Sequence, residues 1–127
     1  MARLRLADLF LDTEPCNAHT TANDALFAGV PVLTAPGGTF ASRVAASLLK
    51  AAGLPDLVMD SPQAYEAMAL HLARDAGALQ ALKTRLAAGR ETNPLFDTAR
   101  FTRNLETAYV AMWERAERGE TPEHFAV

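Results

Sequence analysis

The side chains best suited to chemistry lie close together, in a polar run near the amino terminus. They are Cys16, His19, Thr20, Thr21 and Asp24, which supply a thiol, an imidazole, two hydroxyls and a carboxylate. The run follows a short apolar segment typical of a strand and leads into a segment with helical spacing. The first N–H groups of a helix lack internal partners and lie at the positive end of its dipole. This turn therefore suits an anion such as a phosphate.

The same spacing has an ordinary structural interpretation. Thr21 and Asp24 have the Ser/Thr-x-x-Asp/Glu pattern of a capping box, in which each side chain accepts a hydrogen bond from the other end of the first turn. Residue types alone leave helix capping and ligand binding open, and His19 alone decides neither.

Composition excludes several classes of protein. Half of the 127 residues are hydrophobic, and 12 basic against 15 acidic residues give a net charge of −3, which fits one globular domain. The scattered basic residues argue against binding to nucleic acid or to an anionic membrane. A single cysteine, Cys16, and the lack of an apolar run typical of a signal peptide or membrane span predict a cytoplasmic protein.

The elements that must position the polar run are strand–helix units. Apolar segments predict strands over 8–12, 30–34 and 57–59. The first is followed by a helix that starts at His19-Thr20-Thr21 and ends before Gly29, and the second by a helix capped by Thr39. Because right-handed crossovers join parallel strands, the sequence predicts half of a doubly wound sheet in an α/β/α arrangement of three layers.

The second half of the sequence is helical. Ser61 and Pro62 predict a helix start, Asp75-Ala-Gly77 predicts a break, and Gly89 with Pro94 predicts an end. A last helix is predicted from Thr98 to Glu117, capped by Asp97 or Thr98. We expect a single domain over 1–127, with strand–helix units over 1–60, helices over 61–117 and a polar tail over 118–127.

Longer motifs resemble a known family. The segments concerned are Cys16-Asn-Ala-His-Thr-Thr21 with Asp24, Gly29-Val-Pro-Val32, Pro36-Gly-Gly-Thr-Phe-Ala-Ser-Arg-Val-Ala-Ala-Ser47, Asn93-Pro-Leu-Phe-Asp97, and Tyr109-x-x-Met-Trp-Glu114. Together they resemble the carboxyl-terminal catalytic region of the protein O-linked N-acetylglucosamine transferases. The likeness implies a partial Rossmann-like sheet of about three parallel strands, belonging to a two-domain glycosyltransferase of the GT-B type.

The resemblance also implies a ligand and an activity. Thr20 and Thr21 would hold the diphosphate of a UDP-sugar, with His19 beside it, Asp24 on the ribose and Cys16 near the sugar. The complete enzyme would transfer N-acetylglucosamine from UDP to a Ser or Thr hydroxyl of a protein, with inversion. Relatives that use UDP-glucose or GDP-fucose are an alternative.

The sequence has no Asp-x-Asp pair that would recruit a divalent metal, so metal-independent binding is expected. It differs from the family pattern in the parts that it lacks. The family's catalytic histidine, its acceptor-selecting repeats and its upstream lysine and uracil-binding residues would precede this sequence. No catalytic residue is therefore assigned, and the chain alone is expected to be inactive. Ala18 stands where a glycine is common.

Other chemically plausible residues have structural interpretations. Arg43 could reach a phosphate, but a positive charge at a helix start opposes the dipole, which favours a paired or exposed arginine. Gly37 and Gly38 could let backbone approach a ligand, yet a tight turn needs them too. His71 and His124 are expected to be solvated or packed.

The predicted last helix suggests an alternative function. It carries Phe101, Leu105, Tyr109, Met112 and Trp113 at helical spacing. If this stripe is exposed, it favours a homodimer through 98–117, and the chain could be an interaction module rather than part of a ligand site.

Overall fold

The computed structural model describes residues 3–127 and shows a small parallel sheet surrounded by helices. Its elements are β1 (Phe10–Leu11), α1 (Thr20–Ala28), β2 (Val32–Leu33), α2 (Val44–Ala51), α3 (Pro62–Arg74), α4 (Ala76–Ala88) and α5 (Thr98–Glu117). Short 3₁₀ turns lie at Leu4–Leu6, Phe40–Ser42, Pro55–Leu57, Gly89–Glu91 and Pro94–Phe96.

The sheet is parallel, as predicted, but its strands are shorter than the apolar segments. Phe10 lies opposite Val32, and Leu11 lies opposite Leu33. The predicted strand 57–59 is reduced to one parallel bridge between Thr34 and Val58. The preceding residues, Pro55–Leu57, form a 3₁₀ turn, because proline has the fixed φ that suits the first position of a helical turn. The chain therefore reaches the sheet only at the bridge.

The end of β1 also has a local cause. The N–H of Thr13 donates to Asp12 Oδ1 at 2.9 Å. The N–H of Asp12 still donates to the carbonyl of Leu33 at 3.0 Å, and the chain leaves the ladder at Thr13, whose N–H is bonded to a side chain instead. This departure opens the turn that carries the polar run.

The core lies between the sheet and the helices. Buried alanines of α1 and α2 allow these helices to approach β2, whose two residues are both fully buried. Leu72, Leu82 and Leu86 of α3 and α4 complete the same cluster. Continuous burial of β2 confirms the prediction of a strand covered on both faces.

Helix boundaries follow the predicted caps closely. Ser61 accepts from the N–H of Ala64 at 3.2 Å, and Pro62 is the first residue of α3. Asp75 separates α3 from α4 and caps the latter, as the break at 75–77 predicted. Asp97 caps α5 by accepting from the N–H of Arg100 at 2.8 Å. Gly29 ends α1 in the left-handed conformation, with φ of 87°, which glycine adopts without strain.

A side-chain hydrogen bond fastens the segment between α4 and α5 to the body. Asn93 Nδ2 donates to the carbonyl of Ala52 at 2.6 Å, just after α2. Gly89 is required beside it, because a Cβ there would lie 2.0 Å from Asn93 Nδ2.

Helix α5 contrasts with the other helices, because none of its residues is buried. The predicted stripe is exposed, including Phe101 at 64% and Trp113 at 67% of their accessible surface. Residues after the helix turn back on it, and Arg115 Nε donates to the carbonyl of Thr121 at 2.6 Å.

Candidate functional site

The turn between β1 and α1 is built around the buried carboxylate of Asp12. Asp12 Oδ1 accepts from the N–H groups of Thr13 at 2.9 Å and Ala18 at 2.7 Å, while Oδ2 accepts from the hydroxyl of Thr34 at 2.5 Å. These three donors satisfy a charge that burial would otherwise penalise. The bond to Ala18 fixes the chain two residues before α1 begins. Sequence reasoning missed this role, although an acidic residue at a strand end was a usable signal.

A single carbonyl holds the other side of the turn. Ala41 O accepts from the N–H of Asn17 at 3.0 Å and lies 3.1 Å from His19 Nε2. Because a carbonyl only accepts, Nε2 must carry the proton, and this contact fixes both the orientation and the tautomer of the imidazole. The ring of Phe40 meets the His19 ring edge-on at 6.2 Å. The residue types in the sequence do not predict these contacts of Asn17 and His19 with the carbonyl of Ala41.

Helix α1 starts at Thr20 with its first donors free. Among the hydrogen bonds of residues 3–127, none uses the N–H of Thr20, Thr21 or Ala22, whereas the N–H of Asn23 donates to the carbonyl of His19 at 3.1 Å. These three N–H groups lie at the positive end of the helix dipole, at the carboxyl end of β1. Such an arrangement can act as an anion cradle.

The capping-box interpretation of Thr21 and Asp24 is wrong. His19 is the N-cap residue, and no side chain caps α1. Thr21 already lies inside the helix, two residues too late for its hydroxyl to act as a cap. Residue spacing could not place the helix start to within two residues, and that difference changes the role of both side chains.

The predicted site residues line the start of α1 in order. Cys16 is exposed in the turn, with Sγ 3.7 Å from the carbonyl of Asn17. His19 is half-buried, Thr20 and Thr21 are exposed on the first helical turn, and Asp24 is half-buried one turn later. Within the described chain, no hydrogen bond joins any of these side chains to another of the set. Thr20 and Asp24 share one face of the helix, being four residues apart.

The second glycine-containing turn has a structural role. A Cβ on Gly37 would lie 2.7 Å from Ser42 Oγ, so the turn needs glycine there, whereas Gly38 has open space. Thr39 caps a 3₁₀ turn rather than α2 itself, through a capping box with Ser42. Arg43 Nε donates to the carbonyl of Thr39 at 3.1 Å, which confirms the paired interpretation of this arginine.

The remaining candidates lie elsewhere. His71 is exposed on α3, and His124 is exposed in the tail. Within residues 3–127, no group of three His, Cys, Asp or Glu side chains is arranged to hold a metal ion. In that same part of the chain, no helix is long and apolar enough to cross a membrane.

Comparison with known proteins identifies the family. The model of glycosyl transferase family 41 matches residues 1–105. This chain belongs to that family. As a family 41 member it is 48% identical to a probable UDP-N-acetylglucosamine–peptide N-acetylglucosaminyltransferase, SEC, of Arabidopsis thaliana, over 96% of this chain and 13% of the plant protein. It is 39% identical to the UDP-N-acetylglucosamine–peptide N-acetylglucosaminyltransferase of Caenorhabditis elegans, over 96% of this chain and 11% of that protein.

A solved structure confirms the fold. An O-GlcNAc transferase variant of Thermobaculum terrenum superposes with a TM-score of 0.83 and 38% identity, over 91% of this family 41 chain and 23% of the bacterial one. The predicted α/β architecture of a GT-B glycosyltransferase is therefore correct. The chain spans about an eighth of the length of its curated relatives.

Proposed function

We propose that this chain forms the diphosphate-binding and ribose-binding part of a protein glycosyltransferase, with UDP-N-acetylglucosamine as the donor. The observation that carries the proposal is the set of three unpartnered N–H groups at the start of α1. Membership of family 41 supports the glycosyltransferase class, and the names of the relatives support the donor.

The chemistry explains why such a cradle is useful. Breaking the bond between a sugar and its diphosphate leaves additional negative charge on the leaving group. Fixed N–H donors aimed at that group stabilise the developing charge without having to reorganise during the reaction. In the proposed mechanism these donors serve in place of a metal ion, and the sugar passes with inversion to a Ser or Thr hydroxyl of an acceptor protein.

Each predicted side chain receives a role in this proposal. The hydroxyls of Thr20 and Thr21 add donors to the diphosphate, and Asp24 accepts from the ribose hydroxyls one helical turn away. His19, held by Ala41, lies beside the phosphates. Cys16 is exposed in the turn and is proposed to contact the sugar. The chain alone is proposed to bind the donor rather than to transfer the sugar.

Calorimetric titration with UDP-N-acetylglucosamine in the presence of EDTA tests the proposal. We expect saturable binding that a Thr20→Ala/Thr21→Ala double variant weakens by about tenfold, the size of two lost hydrogen bonds of ordinary strength. UDP-glucose and GDP-fucose, titrated in parallel, test the choice of donor.

Thr98→Ala is the matched control, because Thr98 is also the exposed first residue of a helix. Equal binding by the double variant and this control would contradict the cradle. Binding that appears only when EDTA is replaced by magnesium would contradict metal independence.

A second function is favoured by one observation. The large hydrophobic side chains of α5 are exposed, and no residue of this helix is buried. Exposed apolar surface of this kind is typical of interaction sites. We propose as the alternative that the chain forms a homodimer through α5 and acts as an interaction module.

A further inference from the structure

A small cavity lies behind the turn that leads into α1. Its volume is about 180 Å³, and it is bounded by the turn, by the residue after Thr34 and by the start of α3. None of Cys16, His19, Thr20, Thr21 and Asp24 lines it. The cavity is therefore separate from the proposed diphosphate cradle.

One buried polar atom at this cavity lacks a partner. Asn17 is 4% exposed and lines the cavity. Its Nδ2 donates to the carbonyl of Thr13 at 3.0 Å, but its Oδ1 is buried without a hydrogen bond. Buried polar groups in folded proteins are almost always paired, so the unpaired amide oxygen requires a donor that the described residues do not supply, which is a water or a bound group.

The other polar groups of the lining also accept rather than donate. The Tyr65 hydroxyl donates to the carbonyl of Asp12 at 2.8 Å, so only the lone pairs of Oη remain for a ligand. Glu14 is an exposed carboxylate that makes no hydrogen bond within the described chain. Asp12 adds a second negative charge, although its oxygens already have donors.

The charge of the lining decides between a neutral and a cationic ligand. The lining contains two carboxylates, of Asp12 and Glu14, and no lysine, arginine or histidine. Thr13 also lines the cavity, and its hydroxyl donates to the carbonyl of Cys16 at 3.5 Å. The remaining walls are Ala35, Pro62 and the ring of Tyr65, which suit methylene groups and the face-on approach of a cation. We propose that this cavity binds an alkylammonium group, supplied by a lysine side chain of a protein or by a free primary amine.

NMR titration of the labelled chain with n-butylammonium chloride tests this site. We expect saturable shifts of the Glu14, Asn17, Ala35 and Tyr65 amides, and no such shifts with 1-butanol, which has the same shape without the charge. Sodium chloride at equal ionic strength serves as the blank. Saturable shifts of the same amides by 1-butanol would overturn the requirement for a cation, and absence of saturable shifts with butylammonium would overturn the site.

A pair of peptides distinguishes the two sources. N-acetyl-Gly-Lys-Gly-amide binding more tightly than butylammonium assigns the site to a lysine side chain, and weaker binding assigns it to a free amine. The matching norleucine peptide, which lacks the ammonium group, is expected to leave the four amides unshifted, and saturable shifts with it would overturn the proposal.

A charge variant tests the mechanism without disturbing the fold. Glu14→Gln keeps the shape of an exposed side chain and should weaken butylammonium binding about threefold, as expected for one partly exposed charge interaction. Glu106→Gln on α5 is the control and should leave the affinity unchanged. Equal affinities of all three chains would overturn the role of Glu14. The UDP-N-acetylglucosamine titration is independent, so either proposal can fail alone.

Discussion

At the residue scale, the candidate site depends on groups that are not themselves expected to touch the ligand. The first-turn threonines could be predicted from the sequence, because a strand, a polar turn and a helical spacing follow one another there. The contact between His19 and the carbonyl of Ala41 could not, since it joins residues 22 apart in sequence, and the strand-end position of Asp12 was only a partial signal for its bond to Thr34. Residue types thus indicate candidate groups for a ligand site, but they do not indicate what holds those groups in place.

Replacement of Asp12 tests the support of the turn. Asp12→Asn removes the charge and changes one accepting oxygen into a donor that faces the hydroxyl of Thr34 or the N–H groups of the turn. We expect the free energy of unfolding in urea to fall by about 3 kcal/mol, because hydrogen bonds to a buried charge are strong and their loss leaves unpaired groups. Asp8→Asn, which removes an exposed ion pair with Lys83, should cost less than about 1 kcal/mol. A similar loss in both variants would contradict the special role of Asp12.

The ionisation of the Tyr65 phenol gives a prediction that can be tested by varying the pH. Burial of the phenol, together with the nearby charge of Asp12, raises the pKa of Tyr65 above its ordinary value. In a Tyr109→Phe variant, where Tyr65 is the only tyrosine left, the absorbance of tyrosinate should therefore appear with a midpoint above about pH 10.

The raised pKa of Tyr65 also makes the free energy of unfolding depend on pH. Because the folded state holds this proton more tightly than the unfolded state, the contribution of Tyr65 is complete below about pH 10 and is lost as the pH rises through the folded-state value. Urea unfolding of the Tyr109→Phe variant should show a loss of stability over this range, which Tyr65→Phe in the same background reduces. A midpoint at or below the ordinary value would contradict the burial of the Tyr65 phenol beside the charge of Asp12.

At the element scale, local signals account for the helices better than for the sheet. Ser61 and Asp97 cap the helices that they were predicted to cap, and Asp75 caps α4 at the predicted break, since a cap needs only contacts between neighbours in sequence. Strand length depends on what lies beside the strand, and the apolar segments therefore overestimated β1 and β2. The capping role assigned to Thr21 failed for a related reason, because the start of α1 depends on Asp12 and Ala41.

Gly89 tests the connection between α4 and α5. Gly89→Ala places a methyl group against the amide of Asn93, which is itself held by the carbonyl of Ala52. We expect the free energy of unfolding to fall by about 1–3 kcal/mol, as for overpacking elsewhere. Gly38→Ala is the control, because a Cβ there meets nothing within 4 Å, and it should be nearly neutral. Equal stability of the two variants would contradict the close contact.

At the scale of the whole molecule, the apolar stripe of α5 is largely exposed within the described residues. Sequence periodicity predicted an apolar stripe, but it could not tell which surface the stripe meets, because that depends on groups outside the helix. The chain spans only 23% of the bacterial structure that it resembles, so most of the surfaces available in that protein are not represented here. We propose a second copy of this chain as the partner of the stripe.

Light scattering across a range of concentrations tests the homodimer. We expect a dimer at high concentration that Tyr109→Ser/Trp113→Ser converts to a monomer, because these exposed aromatic side chains are the largest on the stripe. Phe40→Ser, which removes an aromatic side chain of 76% exposure outside α5, is the control and should leave the dimer intact. A strictly monomeric chain at the highest concentration would contradict the interface.

The most direct test of the central claim observes the three free donors themselves. In a titration of the labelled chain with UDP and, separately, with uridine in EDTA, we predict that the amide protons of Thr20, Thr21 and Ala22 shift downfield and saturate with UDP alone, because only UDP carries the phosphates that accept from them. If these three amides stay still while UDP binds elsewhere, or respond equally to uridine, the start of α1 is not the diphosphate site.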